Sequence, residues 1–107
     1  MKRYEIYWTR FDPVEGSEMG KTRPSVIISD DLRNRLLRTV VVCPLTSVLR
    51  PQWRTRLAIQ CAGKPADVCA EQIRVLSKAR LGDRMGALTD EEARELRELL
   101  AEIYCEP

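Results

Sequence analysis

The stretch from 15 to 29, EGSEMGKTRPSVIIS, places an acid and an arginine beside a predicted strand. Glu18 lies between two glycines, which let a backbone approach a ligand closely. Pro24 biases Arg23 towards extended backbone, and the β-branched run that follows is typical of a core strand. A loop that carries an acidic and a basic side chain next to a rigid strand is a common location for a functional site.

Two more polar patches, CPLTS at 43–47 and EQIR at 71–74, contain Thr46 and Glu71. In a compact barrel the strand ends are neighbours, so Arg23 and Thr46 are expected to face one pocket. A guanidinium beside a hydroxyl suits phosphate, because it gives paired charge-assisted hydrogen bonds and stabilises charge that grows on the oxygens. The residues alone leave simpler roles open: a surface ion pair of Arg23 with Glu18, and a loop-capping hydroxyl for Thr46.

The chain has no histidine, which excludes Ser/His and Cys/His nucleophilic pairs and histidine acid–base chemistry. Its four cysteines form no CxxC pair, so we expect no metal site and no cofactor. Cys43 and Cys69 lie in apolar runs and are predicted to be buried, structural thiols.

Length and composition indicate a single domain, 1–107, of the ordinary globular kind, with 44% apolar and 32% charged residues. The net charge of +2 is too small to indicate a nucleic-acid binder, but 50–56 holds three arginines and no acid. No apolar run is long enough for a membrane span and no signal peptide is recognisable, so a cytoplasmic protein without membrane contact is expected.

Short β-type runs predict a small twisted barrel rather than a parallel sheet, which would need helical crossovers. Pro44 is expected to force an edge or a bulge. Residues 30–38 fit either helical turns or a hairpin connection, whereas the capping box of Thr89 and Glu92 opens a predicted amphipathic C-terminal helix. The predicted strands are Glu5–Phe11, Ser25–Ser29, Thr39–Leu45, Arg54–Gln60, Ala66–Ala70 and Glu71–Leu76.

The runs GSEMGKTRPSVIIS, VVCPLTS and EQIRVLSKARLG, in this order, resemble the MazF/PemK family of toxin endoribonucleases over nearly the whole chain. That resemblance implies a mostly β fold, a small SH3-like β-barrel with a C-terminal amphipathic α-helix. It also implies a homodimer that cleaves single-stranded RNA at short sequences without a metal. The ribose 2′-hydroxyl attacks the adjacent phosphate, which leaves a 2′,3′-cyclic phosphate and a 5′-hydroxyl.

The resemblance gives Arg23 the role of phosphate binder and acid, and Thr46 the role of stabilising the pentavalent phosphate. Either Glu18 or Glu71 is left as the base. Some PemK-like members carry an arginine where this chain has Cys69 and a histidine where it has Ser17, so a mechanism that uses those two groups is excluded here.

Backbone phosphates need cations and unstacked bases can lie on an aromatic ring, which gives a hypothetical RNA-contact set. Its members are Arg50, Trp53, Arg54, Arg56 and Gln72. For Trp53, packing inside the barrel is an equal alternative. The resemblance also implies a cognate antitoxin with an acidic, disordered tail, for which the basic loop 46–56 is a suitable receptor.

Two other functions stay open at this point. A gyrase-directed toxin of the same barrel acts on a protein partner, but its characteristic Trp-Gly-Ile ending is replaced here by Tyr104-Cys105-Glu106-Pro107. A catalytically silent binding module that has kept the fold is the second alternative.

Overall fold

A computed structural model of the chain describes residues 1–11 and 21–107. These residues contain seven β-strands and two α-helices, joined by loops and 3₁₀ turns. Every strand pair is antiparallel. The strands are β1 (Glu5–Arg10), β2 (Thr22–Ile27), β3 (Thr39–Thr46), β4 (Arg56–Cys61), β5 (Lys64–Cys69), β6 (Arg74–Ser77) and β7 (Leu81–Ala87). The helices are α1 (Asp31–Leu36) and α2 (Asp90–Tyr104).

Strand β3 lies at the centre of the sheet, whose order is β4-β5-β3-β2-β1-β7, with β6 also paired to β3. The prediction that Pro44 marks an edge is therefore wrong. The ladder with β6 ends at Val42 and the ladder with β5 begins at Leu45. Pro44 lies in the gap where β3 changes partner on that side, so the missing proline amide costs no ladder hydrogen bond there.

A two-residue turn at Ala62 and Gly63 joins β4 to β5. Both residues have positive φ, 52° and 77°, as the tight hairpin turn that follows the twist of the strands requires. Cys61 of β4 and Met85 of β7 belong to opposite ends of the strand order, yet they line the same cavity. The sheet is therefore curled into a half-barrel, which confirms the predicted mostly β barrel architecture.

Alternating side chains separate the sheet into two apolar faces. On the first face, Cys43 and Leu45 pack with Ala93 and Leu96 of α2 in one buried cluster. On the second face, Val40 and Val42 pack with Ile27, Phe11 and Leu76 in another. Helix α2 therefore covers only one face of the curled sheet.

Helix α2 begins as predicted. The Glu92 amide donates to the Thr89 hydroxyl oxygen at 3.1 Å, and the Glu92 carboxylate accepts from the Thr89 amide at 2.9 Å. Within 30–38, the Asp30 side chain caps a helix of six residues, so the helical alternative is correct. Neither this helix nor any other in the described part of the chain combines the length and apolar character that crossing a membrane requires.

The region after β5 differs from its prediction. The expected strand Glu71–Leu76 is instead a 3₁₀ turn at Ala70–Gln72 followed by β6, Arg74–Ser77. Strand β7, LGDRMGA, was not predicted, because two glycines and two charges give it little β propensity. It is held by its pairing with β1, which is irregular around Tyr7.

Candidate active site

Arg23 and Thr46 come together at the ends of neighbouring strands. Ser25 of β2 lies opposite Pro44 of β3, and the same register continued by two residues aligns Arg23 with Thr46. Both residues line a cavity of about 670 Å³. The prediction that these two residues face one pocket is confirmed by this geometry.

The cavity takes its walls from both faces of the sheet, at the edge where the strands end. Trp8 and Leu45 contribute apolar surface from the first face, and Arg23 and Thr46 contribute polar groups from the second. Arg23 is half-buried, while Thr46 is only 8% exposed. The pocket thus combines an apolar wall with a cation and a hydroxyl held on regular strands.

The Thr46 hydroxyl caps the loop after β3, as the sequence left open, and its own O–H is not used in that hydrogen bond. Its Oγ1 accepts a hydrogen bond from the Val48 amide at 3.1 Å, which fixes the start of the loop after β3. A hydroxyl that accepts one hydrogen bond still has its own O–H to donate. The structural and the chemical roles predicted for Thr46 are therefore compatible.

Glu18, the predicted partner of Arg23, lies outside the described residues, within 12–20. The second candidate base, Glu71, lies within the described residues and is paired with Arg56. Both of its carboxylate oxygens accept from Nε of Arg56, at 2.9 and 3.2 Å. Its side chain is 23% exposed.

Arg56 belongs to a buried ionic cluster rather than to an open basic surface. Its side chain is 8% exposed, and besides Glu71 it contacts Oδ2 of Asp67 at 3.5 Å. Asp67 lies directly opposite Thr46 in the ladder between β3 and β5. Among the residues that the structure describes, no group of His, Cys, Asp and Glu side chains is arranged to hold a metal ion.

The charges of this cluster act on the pKa of the nearby Cys69 thiol. Burial raises that pKa to about 12. The positive charges of Arg56 and Arg23 oppose the rise, whereas the negative charges of Glu71 and Asp67 add to it. The ionic cluster adjoins the cavity, because Asp67 lies opposite Thr46, which lines the cavity.

Three members of the predicted RNA-contact set lie on the exposed loop between β3 and β4: Arg50, Trp53 and Arg54. Trp53 is 48% exposed and belongs to neither apolar cluster, so it is not a barrel-packing residue. The guanidinium carbons of Arg50 and Arg56 lie 5.8 and 4.5 Å from its ring centroid. Gln72 is half-buried in the 3₁₀ turn.

Two residues that belong to this region were not singled out from the sequence. Asp67 is 3% exposed, and the signal for it was an acid inside the otherwise apolar run ADVCA. Arg74, the last residue of EQIR, lies opposite Val42, with its guanidinium 5.1 Å from the Phe11 ring centroid. Arg74 thus adds a further cation to the face that carries Arg23.

The fold and the site together define a small half-barrel protein whose cavity is lined by an arginine and a strand-end hydroxyl, an arrangement suited to a phosphate-bearing ligand. The family described as PemK-like, MazF-like toxin of type II toxin-antitoxin system matches residues 2–104, so the chain belongs to this family.

Named relatives support the same assignment. The endoribonuclease MazF of Staphylococcus saprophyticus is 34% identical over 101 residues, covering 90% of this chain and 84% of the relative. The predicted enzyme class, an endoribonuclease, is thereby confirmed.

Solved structures agree with the fold. A mycobacterial endoribonuclease in complex with its cognate antitoxin has a TM-score of 0.84 at 26% identity, over 100% of this chain and 97% of that one. MazF from Deinococcus radiodurans has a TM-score of 0.85 at 22% identity, covering 96% and 94% of the two chains. At that identity the second comparison supports the fold alone.

Proposed function

We propose that this toxin cleaves single-stranded RNA by attack of a ribose 2′-hydroxyl on the adjacent phosphate, with Arg23 and Thr46 as the groups that bind this phosphate. The observation that carries the proposal is their joint position in one cavity, although they come from separate segments of the chain. Arg23 supplies a fork of N–H donors and Thr46 supplies an O–H that is not used by the Val48 amide.

In the proposed step, the 2′-oxygen forms a bond to phosphorus and the bond from phosphorus to the 5′-oxygen breaks. The products are a 2′,3′-cyclic phosphate and a 5′-hydroxyl. Negative charge grows on the non-bridging oxygens, and Arg23 and Thr46 stabilise it by hydrogen bonds that strengthen in the transition state. A proton leaves the 2′-hydroxyl for a base and another reaches the departing 5′-oxygen, so the step consumes no water.

Glu18 is our choice for the base. Glu71 accepts from Arg56 with both of its oxygens, which leaves it poorly placed to take a proton from RNA. Arg23 is the proposed donor of the proton that reaches the departing 5′-oxygen, but a guanidinium gives up its protons reluctantly. Charge stabilisation by Arg23 is therefore its larger contribution.

The exposed loop between β3 and β4 is the proposed RNA-contact surface. Arg50 and Arg54 offer cations to backbone phosphates, and the exposed ring of Trp53 offers a stacking platform for a base. Arg56 supports the ring of Trp53 from its buried position. Gln72 is a further proposed polar contact to RNA, at the edge of this surface.

We further propose a homodimer and a protein antitoxin whose acidic segment binds the same basic loop. The mycobacterial relative in complex with its cognate antitoxin supports a partner of this kind. Competition follows from the shared surface, so antitoxin and RNA are expected to displace each other.

The test is incubation of purified protein in EDTA with a long single-stranded RNA, followed by mapping of the product ends. Wild type is expected to give cuts with cyclic phosphate ends, and Arg23→Ala is expected to abolish them. Arg94→Ala is the matched control, because Arg94 lies on α2 in ion pairs with Glu91 and Glu98. An all-2′-O-methyl RNA must stay intact.

If folded wild-type protein leaves a sequence-diverse RNA uncut in EDTA, the proposed chemistry is wrong. A protein target such as gyrase would then be the next candidate.

A further inference from the structure

The buried carboxylate of Asp67 lies beneath the loop that we propose to contact RNA. The side chain of Asp67 is 4% exposed, and it projects from β5, a strand that is otherwise apolar through residues 66–69. Burying an ionised carboxylate is costly unless hydrogen bonds and an opposite charge compensate for it. The partners of Asp67 therefore indicate what this carboxylate stabilises.

Two described contacts of the Asp67 side chain are to the loop or to its end. The backbone amide of Arg50 donates to Oδ2 of Asp67 at 2.8 Å. The same oxygen lies 3.5 Å from Nη1 of Arg56, the first residue of β4. One oxygen atom thus ties the middle of the loop to the strand that follows it.

The attachment is completed by Glu71. Arg56 donates to it through Nε at 2.9 Å, so its guanidinium is shared between two carboxylates from different elements. The ring of Trp53 lies over that fixed guanidinium, at 4.5 Å. Trp53 is therefore oriented by a group that Asp67 and Glu71 hold in place.

We infer that Asp67 is a positioning residue that preorganises the loop 47–55 for RNA, acting through the Arg50 amide and the Arg56 guanidinium. The inference rests on the proposed ribonuclease function of this face. It predicts a larger effect on substrate binding than on the bond-breaking step, because the described side-chain contacts of Asp67 go to the Arg50 amide and the Arg56 guanidinium, although Asp67 lies opposite Thr46. A loop that is already ordered loses less conformational entropy when it binds.

The experiment compares Asp67→Ala and Asp67→Asn with wild type. Asp67→Ala removes the acceptor of the Arg50 amide, whereas asparagine keeps an acceptor oxygen and loses only the charge. Glu71 still pairs with Arg56 in both variants, so no buried arginine is left without a partner. Asp83→Asn is the matched control, since it makes the same charge change at an exposed position of β7.

Two readouts are needed. The first is hydrogen exchange at the Arg50 amide, expected to become fast in Asp67→Ala and to stay protected in Asp67→Asn, with the β3 amides protected in both. The second is cleavage of a defined RNA, where KM is expected to rise by about tenfold in Asp67→Ala and by about threefold in Asp67→Asn, at nearly constant kcat. The dissociation constant for a 2′-O-methyl RNA of the same sequence should rise in parallel.

Unchanged Arg50 exchange in a folded Asp67→Ala protein would overturn the inference, as would a fall in kcat as large as the rise in KM. Failure of the ribonuclease proposal is recognised separately, as absence of cleavage by wild type. In that case Arg50 exchange and 2′-O-methyl RNA binding still decide whether Asp67 positions the loop. Protected Arg50 exchange in Asp67→Ala refutes it in that case too, and so does unchanged binding of this RNA.

Discussion

Replacing Thr46 by valine tests whether its hydroxyl acts on the phosphate. Thr46 is 8% exposed and valine has nearly the same shape, so the variant removes a hydroxyl while leaving the end of β3 filled. The interaction that the variant tests is the proposed hydrogen bond from the Thr46 O–H to a charged phosphate oxygen. Hydrogen bonds to charged groups contribute about 1.5–3 kcal/mol, which corresponds to a fall in kcat/KM of about 10- to 150-fold.

A second effect of Thr46→Val must be separated from the first. Valine also removes the acceptor of the Val48 amide, which lies at the start of an exposed loop where water can replace it. Thr46→Ser keeps both hydrogen bonds and is expected to cleave within about threefold of wild type. A loss shared equally by both variants would point to packing.

The assay is single-turnover cleavage of a short RNA with one site, with enzyme in excess, over a range of enzyme concentrations. Single-turnover rates separate the chemical step from product release. If Thr46→Val cleaves within threefold of wild type while remaining folded, the assignment of Thr46 to the reacting phosphate is refuted.

Three further results are expected. At pH 8 a thiol reagent should modify the exposed Cys105 quickly but not Cys43 or Cys69, because burial raises the pKa of each of these two thiols to about 12; reaction of either without denaturant would contradict the described core. Leu96→Ala, at a fully buried position, should lower the free energy of unfolding in urea by about 2–5 kcal/mol, while Leu36→Ala, at a position 72% exposed, should change it by less than about 0.5 kcal/mol. The cleavage rate at saturating RNA should show no inflection near pH 6.5, because the chain has no histidine. With a carboxylate as the base, we expect the rate to be constant from about pH 6 to 8. A bell-shaped profile centred near neutrality would require another titrating group and would contradict this assignment.

Local sequence signals predicted most of the fold. The run Thr39–Leu45 is β-branched and continuous, and it became the central strand β3, while the capping box at Thr89 fixed the start of α2. Strand β7 was missed because its stability comes from pairing with β1 and not from its own residues. The position of Pro44 was misjudged for a related reason: a central strand tolerates proline where it changes partner, and that change is a tertiary property.

For the candidate site, residue types left simpler roles open for Arg23 and Thr46, and the family resemblance supplied their proposed chemical roles. Strand register explains why the two residues share a cavity. Arg56 was predicted to contact RNA as a cation of the acid-free segment 50–56, but it is buried against Asp67 and Glu71. Sequence gives the charge of a side chain, but its pairing depends on which strands lie beside it.

In the proposed function, phosphate binding and RNA contact belong to different parts of the fold. Arg23 and Thr46 lie at the ends of β2 and β3, strands held by a continuous ladder from Ser25 to Ile27, so the sheet fixes the positions of the two proposed phosphate-binding groups. Arg50 and Trp53 lie on the loop that, by our inference, the buried carboxylate of Asp67 positions through the Arg50 amide. Loops accept substitution more readily than the strands that carry them. Changes within this loop should therefore alter which RNA bases are preferred while leaving the bond-breaking step intact.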